Sequence, residues 1–367
     1  MRKNQENTMI SYDAPEEKSA LQAKFDAQKI AFAPIVFQAT KALRDFGILK
    51  LIREQGDTGI IAEDIAEKVG ISLYGVKILL EVGLSSELLR LVDDGYVITK
   101  TGYFLLYDEM TNVNMNFVNE VCYQGMFDLQ TALREGKPSG LKVFGNWDTI
   151  YEAIPYLPEN VQKSWFEFDH FYSDVAFSDV LPIIFAKAPR LMFDVGGNTG
   201  KWALECVRYN SQVRVTILDL PSLLEKAAKN IDEQGHGYEQ RIEGYPINFL
   251  DDSSQFPENA DVIWMSQFLD CFSPPQIISI LSRAARVMSE ATSLYILETY
   301  WDRQRFEAAA FSLHNTSLYF TCLANGYSKM YHSGEMKACL DKAGLELVAE
   351  SDDIGISHTL FECKLKH

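Results

Sequence analysis

The 367-residue chain lacks the features by which membrane, secreted and metal-stabilised proteins are recognised. No segment approaches the apolar length of a membrane span, and residues 1–30 mix Arg, Lys, Glu and Asp without the apolar core of a secretory leader. The six cysteines have no CxxC or other metal-ligand spacing, which favours reduced thiols over a disulfide framework or a zinc site. We therefore expect a cytoplasmic protein that holds no metal and binds no membrane.

Positive charge is also scarce. The chain has 34 Lys and Arg against 51 Asp and Glu, which gives a formal net charge of −17. Nucleic-acid phosphates require a basic protein face, so this balance argues against a nucleic-acid partner and favours a small neutral or cationic ligand. A hydrophobic content of 47% is ordinary for a soluble globular protein, and the length allows two domains.

The most informative segment is LMFDVGGNTG at residues 191–200, an apolar strand that ends in an acid and breaks into a glycine-rich turn before a helical run. Gly196, Gly197 and Gly200 tolerate positive φ and leave room for a ligand against bare backbone. Gly196 and Gly200 are four residues apart, whereas the outer glycines of a dinucleotide fingerprint are five apart. Asp194 would repel a pyrophosphate, but it suits the fixed positive charge of S-adenosylmethionine.

A second acid supports the same ligand. The next strand, residues 213–218, ends in Asp219, which lies nineteen residues past Gly200. A carboxylate at this offset is placed to accept hydrogen bonds from ribose hydroxyls. The two signals together predict a nucleoside-type ligand without a phosphate.

The N-terminal third has the pattern of a small helical domain. Apolar residues recur at helical spacing in three segments, at residues 35–46, 61–69 and 76–88. Two short apolar segments then flank Asp93-Asp94-Gly95, which is typical of a hairpin turn, and complete a winged-helix unit that ends near Leu106. Its third helix is rich in leucine and has one lysine, so it suits a contact between subunits better than DNA.

Strands and helices alternate in the remainder of the chain. An aromatic-rich, mostly helical connector, with a break at residues 133–138 and a helix at 165–177, leads into seven predicted strands at residues 191–195, 213–218, 240–244, 261–265, 292–297, 345–350 and 358–365. This order predicts an α/β, doubly wound sheet whose last two strands form an antiparallel hairpin. We assign residues 1–110 to an N-terminal arm and winged-helix domain, and residues 111–367 to the connector and the sheet domain.

Three motifs carry a resemblance to a known family over about residues 30–365: DVGGNTG at 194–200, LDLP at 218–221 and ADVIWMSQFLDCFS at 260–273. The chain resembles the class I S-adenosylmethionine-dependent O-methyltransferases of the plant caffeic-acid and acetylserotonin type, which have bacterial relatives in secondary metabolism. The resemblance implies a Rossmann-like seven-stranded methyltransferase sheet and an N-terminal dimerisation domain. It also implies a homodimer in which the N-terminal domain of one subunit helps to close the active site of the other.

The resemblance implies a cofactor site for S-adenosylmethionine. Its residues are Asp194, Gly196, Gly197, Asn198, Gly200, Asp219, Leu220, Asn248, Phe249, Ser266 and Gln267. Asn198 replaces a glycine of the family motif. Because Asn tolerates the left-handed backbone best among non-glycine residues, we expect the turn to be preserved.

The catalytic positions depart from the family. Asp270 stands where the family has the histidine that deprotonates the substrate hydroxyl, Glu298 matches the first supporting glutamate, and the second falls near Ser328. Three interpretations of Asp270 are open: a general base with a tuned pKa, an anchor for a polar or cationic substrate group, or a structural acid that caps the helix after Pro274-Pro275. Burial beside Glu298 would raise the pKa of Asp270 toward that of a useful base.

Four residues are candidates for the acceptor side: Phe166, His170, His314 and Tyr319. Either histidine is an alternative to the missing base. We expect methyl transfer to a hydroxyl of a small aromatic or polyketide-like metabolite, in which positioning supplies much of the rate. The alternatives are N- or C-methyl transfer, a catalytically silent methyltransferase-like protein that binds a ligand, and a winged-helix transcription factor.

Overall fold

A computed structural model describes Tyr12 and residues 15–366 of the chain. They divide into two units, one of residues 15–120 and the other of residues 121–366 together with Tyr12. The division predicted after residue 110 stays a prediction. Within the part of the chain that the structure describes, none of the helices combines the length and the apolar character that a membrane crossing needs.

The first unit is mainly helical. Its helices are α1 Ala20–Asp45, α2 Ile48–Glu54, α3 Ala62–Val69, α4 Leu73–Ser85, α5 Lys100–Tyr107 and α6 Glu109–Phe117, and its hairpin consists of β1 Leu89–Val92 and β2 Gly95–Ile98. The three predicted helices and the antiparallel hairpin are confirmed. The short helix α2 had not been predicted.

Local chemistry ends and begins the helices of this unit. Gly70 adopts the left-handed conformation (φ 70°) and ends α3, and the Ser72 hydroxyl accepts a hydrogen bond from the Gly75 N–H (3.1 Å) at the start of α4. The apolar faces meet in one cluster, in which Leu43, Ile65 and Leu80 are fully buried.

The second unit is an α/β domain. Its helices are α7 Leu129–Glu135, α8 Ile150–Ala153, α9 Glu159–Ser173, α10 Phe177–Phe185, α11 Lys201–Tyr209, α12 Pro221–Gln234, α13 Pro274–Val287, α14 Glu307–Tyr319 and α15 Ser333–Lys342. Its strands are β3 Leu191–Val195, β4 Arg214–Asp219, β5 Ile242–Pro246, β6 Val262–Ser266, β7 Ser293–Glu298, β8 Leu345–Ile354 and β9 His358–Leu365. The connector differs from expectation, because α7 continues to Glu135, inside the predicted break, and the helix predicted at 165–177 begins at Glu159 and ends at Ser173.

The seven strands form one sheet in the order β5-β4-β3-β6-β7-β9-β8. Neighbours are parallel except at β9, which runs antiparallel to β7 and β8. The predicted doubly wound sheet with a terminal hairpin is confirmed. The strand order reverses between β3 and β6, and in such sheets ligands bind at this switch point, beyond the carboxyl ends of the strands.

Both faces of the sheet are covered. Because side chains alternate along a strand, Phe193 and Val195 of β3 pack in one hydrophobic cluster and Met192 in another. The parallel strands are therefore buried on both sides, and their carboxyl ends are held in a rigid frame.

Candidate active site

The glycine-rich turn lies between the end of β3 and the start of α11. Gly196, Asn198 and Gly200 all have left-handed backbone, with φ of 71°, 49° and 76°, so Asn198 keeps the turn as expected. A Cβ atom on Gly196 would lie 2.3 Å from the Phe268 ring. A Cβ atom on Gly197 would lie 2.6 Å from Oδ2 of Asp194. Glycine is therefore required at both positions by space.

The Asp194 carboxylate lies directly under this turn. The backbone N–H of Ala203, in the first turn of α11, donates to it, and its Oδ2 has no hydrogen-bond partner among the described residues. Burial, and next the charge of Asp219, raises the pKa of Asp194 to about 8. A positive charge nearby would stabilise its ionised form.

Asp219 joins the turns that follow β3 and β4. Its Oδ2 accepts a hydrogen bond from the Asn198 N–H (2.9 Å), and its Oδ1 accepts one from the Leu220 N–H (2.7 Å). Burial raises the pKa of Asp219 to about 6, although both hydrogen bonds favour the ionised form. The two acids that the sequence singles out are thus brought together.

The next strand ends contribute apolar and polar groups. Phe249 and Phe268 pack edge to face with ring centroids 4.9 Å apart. Ser266 ends β6, and Gln267 follows it with left-handed backbone (φ 46°). Asn248 is exposed, and its Oδ1 accepts a hydrogen bond from the Leu250 N–H in its own turn. Phe249, rather than Asn248, therefore belongs to the buried wall.

Two buried carboxylates stand at the ends of β6 and β7. Glu298 is 2% exposed, and its Oε1 accepts hydrogen bonds from the N–H groups of Phe268 (3.0 Å) and Leu269 (2.8 Å). Burial, with a smaller contribution from the charge of Asp169, raises the pKa of Asp270 to about 7. Burial and the charge of Asp270 hold the pKa of Glu298 well above its usual value. Near neutral pH Glu298 is therefore protonated, whereas Asp270 is close to the midpoint of its titration.

The third interpretation of Asp270, as a cap of the following helix, is wrong. Helix α13 begins at Pro274, and its N-cap residue is Ser273. The backbone N–H and the hydroxyl of Ser273 both donate to Oε1 of Gln276, at 2.9 and 2.8 Å. Asp270 instead lies in the short 3-10 turn of residues 269–271 and is buried.

A wall of aromatic and thiol groups adjoins Asp270. The Cys271 thiol donates to Oδ1 of Asp270 (3.5 Å), and the Trp165 indole N–H donates to the Tyr319 hydroxyl (2.8 Å). Burial, followed by the charges of Cys271 and Tyr319, holds the pKa of Tyr151 well above its usual value. Sequence reasoning missed Tyr151, because it lies in the four-residue helix α8, which has no recognisable motif.

Residues 126–346 match the O-methyltransferase domain family, and residues 24–96 match a Dimerisation2-like domain. The chain belongs to the O-methyltransferase family. It is 24% identical over 280 residues to human acetylserotonin O-methyltransferase, an alignment that covers 74% of this chain and 79% of that protein.

Solved structures confirm the fold of this methyltransferase. The S-adenosylmethionine-dependent methyltransferase SibL in its apo form has a TM-score of 0.71 and 22% identity over 93% of this chain and 99% of that chain. An O-methyltransferase from neocarzinostatin biosynthesis, in complex with S-adenosylmethionine and 2-hydroxy-5-methyl naphthoic acid, has a TM-score of 0.67 and 17% identity over 95% of this chain and 100% of that chain.

The residues of the methyltransferase fit S-adenosylmethionine, the cofactor of the family. Asp194 Oδ2, Ser266 Oγ and Gln267 Oε1 are buried and have no hydrogen-bond partner among the described residues. Buried polar atoms are nearly always satisfied in folded proteins, so three such atoms at the carboxyl ends of the neighbouring strands β3 and β6 are typical of a site for a polar ligand. The neighbouring acids Asp194 and Asp219 suit a ligand that carries positive charge.

The two candidate histidines have different surroundings. His170 Nδ1 lies 3.5 Å from Oδ1 of Asp174, and its ring stacks on Phe166 at 6.0 Å between centroids. His314 packs against Trp301, with ring centroids 4.9 Å apart, in a separate aromatic group. Through Asp174, which also pairs with Lys201, His170 is connected to the segment that follows the glycine turn.

Ser328, near which the resemblance places the family's second glutamate, is not acidic. It is buried, and its hydroxyl donates to Oδ1 of Asn325 (3.1 Å). Asn325 Nδ2 in turn donates to the Cys271 carbonyl (2.7 Å). This position therefore supports the turn that carries Asp270 by hydrogen bonding rather than by charge.

Proposed function

We propose that the methyltransferase transfers the methyl group of S-adenosylmethionine to a hydroxyl of a small aromatic or polyketide-like metabolite. The main support for this proposal is the buried pair of Asp270 and Glu298, which adjoins the aromatic wall at the carboxyl ends of β6 and β7. The names of two similar proteins support an aromatic acceptor: one is an acetylserotonin O-methyltransferase, and the other was solved with a hydroxynaphthoic acid.

Each side of the donor site has a proposed role. Asp219 accepts hydrogen bonds from ribose hydroxyls, the ring of Phe249 packs against the adenine, and Ser266 and Gln267 hydrogen-bond the polar edge of the ligand. Asp194, which lies beneath the glycine turn, compensates the positive charge of the ligand. When bound, S-adenosylmethionine supplies an electrophilic methyl group on a sulfonium sulfur.

Asp270 is the proposed general base. A phenol has a pKa of about 10 and free histidine one of about 6.5, a difference of about 3.5 units. With its pKa raised to about 7, Asp270 is as strong a base as that histidine, so the exchange carries no penalty in proton-transfer driving force. Asp270 takes the proton from the acceptor hydroxyl, while protonated Glu298 is held in place by two backbone amides.

The proposal includes a homodimer in the cytoplasm. The match of residues 24–96 to a Dimerisation2-like domain supports subunit pairing. Apolar side chains of that unit are exposed, among them Phe25, Phe32 and Ile35 of α1 and Tyr74 of α4. Subunit pairing would remove such side chains from water. The six cysteines are all unpaired, which is consistent with a reducing compartment.

The test begins with the cofactor. Mass spectrometry of the purified protein is expected to find S-adenosylmethionine or S-adenosylhomocysteine, and calorimetry is expected to give micromolar binding of both. If neither binds at micromolar concentration, the proposal is wrong. A panel of phenols, anilines and carbon nucleophiles then identifies the methylated atom, and turnover of any phenol separates an enzyme from a silent binding protein.

A further inference from the structure

The side chain of Asn198 reaches from the glycine turn to another element. Its Nδ2 donates a hydrogen bond to Oδ2 of Asp169 (3.1 Å), while its backbone N–H donates to Oδ2 of Asp219 (2.9 Å). Asp169 lies in helix α9. One residue therefore connects the acid after β4 with a helix that is not part of the donor site.

A second contact joins the same elements. Lys201 is the first residue of α11, directly after the turn, and its Nζ lies 2.7 Å from Oδ2 of Asp174. Asp174 is the C-cap residue of α9, and its Oδ1 lies 3.5 Å from Nδ1 of His170. The last turn of α9 is thus attached to both ends of the segment 198–201.

Helix α9 also contributes to the aromatic wall that adjoins Asp270. Trp165, one turn before Asp169, donates to the hydroxyl of Tyr319 (2.8 Å). The charge of Asp169 acts on both Asp270 and Tyr319, which places Asp169 close to the proposed base. A shift of α9 relative to the glycine turn would therefore move the aromatic wall relative to the donor.

We propose that Asn198 and Asp169 are positioning residues that fix α9 to the cofactor turn, so that binding of the cofactor orders the wall that receives the acceptor. This inference rests on the proposed function. A glycine at position 198 would keep the positive φ without strain but would have no side chain to reach Asp169. The coupling is therefore a property of Asn198 and not of the turn itself.

The test measures hydrogen exchange of residues 159–173 with and without saturating S-adenosylhomocysteine. In the wild type the ligand is expected to slow exchange in the last two turns of α9 by about tenfold, the size of effect expected when a hydrogen bond to a charged group is secured. Asn198→Gly and Asp169→Ala are expected to abolish this slowing when each is measured at its own saturating concentration of S-adenosylhomocysteine. Asp169→Asn keeps a carbonyl acceptor for Asn198 and is expected to retain the slowing.

Glu167→Ala is the matched control, because Glu167 lies on the same helix in an exposed ion pair with Lys163 (3.7 Å). It is expected to behave like the wild type. Once an acceptor is known, Asn198→Gly is expected to raise its KM by about tenfold with a smaller change in kcat.

Two results would overturn the inference. One is ligand-induced slowing in Asn198→Gly equal to that of the wild type, and the other is a wild-type α9 that does not respond although S-adenosylhomocysteine binds. Absence of binding to the wild type would instead overturn the proposed function as well. Asn198→Gly relaxes a left-handed residue, so it keeps the test valid even if Asp169→Ala fails to fold.

Discussion

The backbone N–H of Asn198 donates a hydrogen bond to Oδ2 of Asp219 at 2.9 Å. This bond closes the glycine-rich turn after β3 onto Asp219, the last residue of β4, so two residues that are 21 apart in the sequence form one surface. It also holds Asp219 near Asp194, whose pKa it helps to raise. A positively charged ligand would therefore favour the ionised form of Asp194.

Asp219→Asn is expected to weaken binding of S-adenosylhomocysteine by about 10- to 100-fold, because an acceptor of charged hydrogen bonds is lost. Calorimetry measures the affinity. Asp232→Asn, at an exposed position of α12, is the control and is expected to bind normally. Equal affinities of the two variants would contradict the ribose role of Asp219.

Asp194→Asn is expected to change how stability depends on pH. The folded pKa of about 8 lies above the ordinary value of 3.8, so the stability that Asp194 contributes is full below pH 4 and is lost as pH rises to about 8. The ligand-free variant is expected to lose less stability between pH 4 and 9, and at pH 9 to melt several degrees (~3 to 6 °C) above the wild type. Scanning calorimetry across this range is the measurement; a melting difference that does not vary with pH would contradict the raised pKa.

The activity is expected to rise with pH through a midpoint of about 7, the pKa of Asp270, because the base must be ionised. Asp270→Asn is expected to lower kcat by about 10²- to 10⁴-fold and to remove this limb. Initial rates from pH 5 to 9 give the profile. A raised KM with an unchanged kcat and an intact limb would identify Asp270 as an anchor instead.

Glu298→Gln is expected to be mild. The raised pKa of Glu298 keeps it protonated near neutral pH, and a glutamine retains the Oε1 acceptor for the Phe268 and Leu269 amides. We expect the midpoint of the pH profile to stay within about half a unit and kcat within about threefold, whereas Glu298→Ala leaves two amides unpaired and destabilises the turn. A large loss of kcat in Glu298→Gln would contradict this prediction and would show that ionised Glu298 takes a direct part in catalysis.

A comparison of Gly196→Ala with Gly235→Ala distinguishes the effect of a steric clash at the new Cβ atom from the effect of backbone strain. Both glycines have positive φ, 71° and 65°, but a Cβ atom meets the Phe268 ring at 2.3 Å only at Gly196 and nothing within 4 Å at Gly235. Gly196→Ala is expected to abolish cofactor binding and to lower the melting temperature further than Gly235→Ala. Thermal melts and calorimetry test this, and equal melts with retained binding would contradict it.

Much of the fold could be predicted because it follows from local patterns. Alternating strand and helix periods predicted all seven strands, and Asp93-Asp94-Gly95 predicted the hairpin turn between β1 and β2. Helix α2 was missed because a seven-residue helix carries too little periodicity to recognise. The interpretation of Asp270 as a helix cap, one of three left open, was wrong because Ser273 lies directly before the helix start and caps it.

The sequence by itself determined the conformation of the donor turn, because glycine and asparagine at this spacing favour the positive φ angles that the turn needs. Only the tertiary structure decided which distant groups meet there. Asp169 and Tyr151 lie about 100 or more residues before Asp270 in the sequence, and their approach to it depends on the packing of helices. The pKa values of the acids were likewise decided by folding, because burial and neighbouring charge, not residue type, set the cost of ionisation.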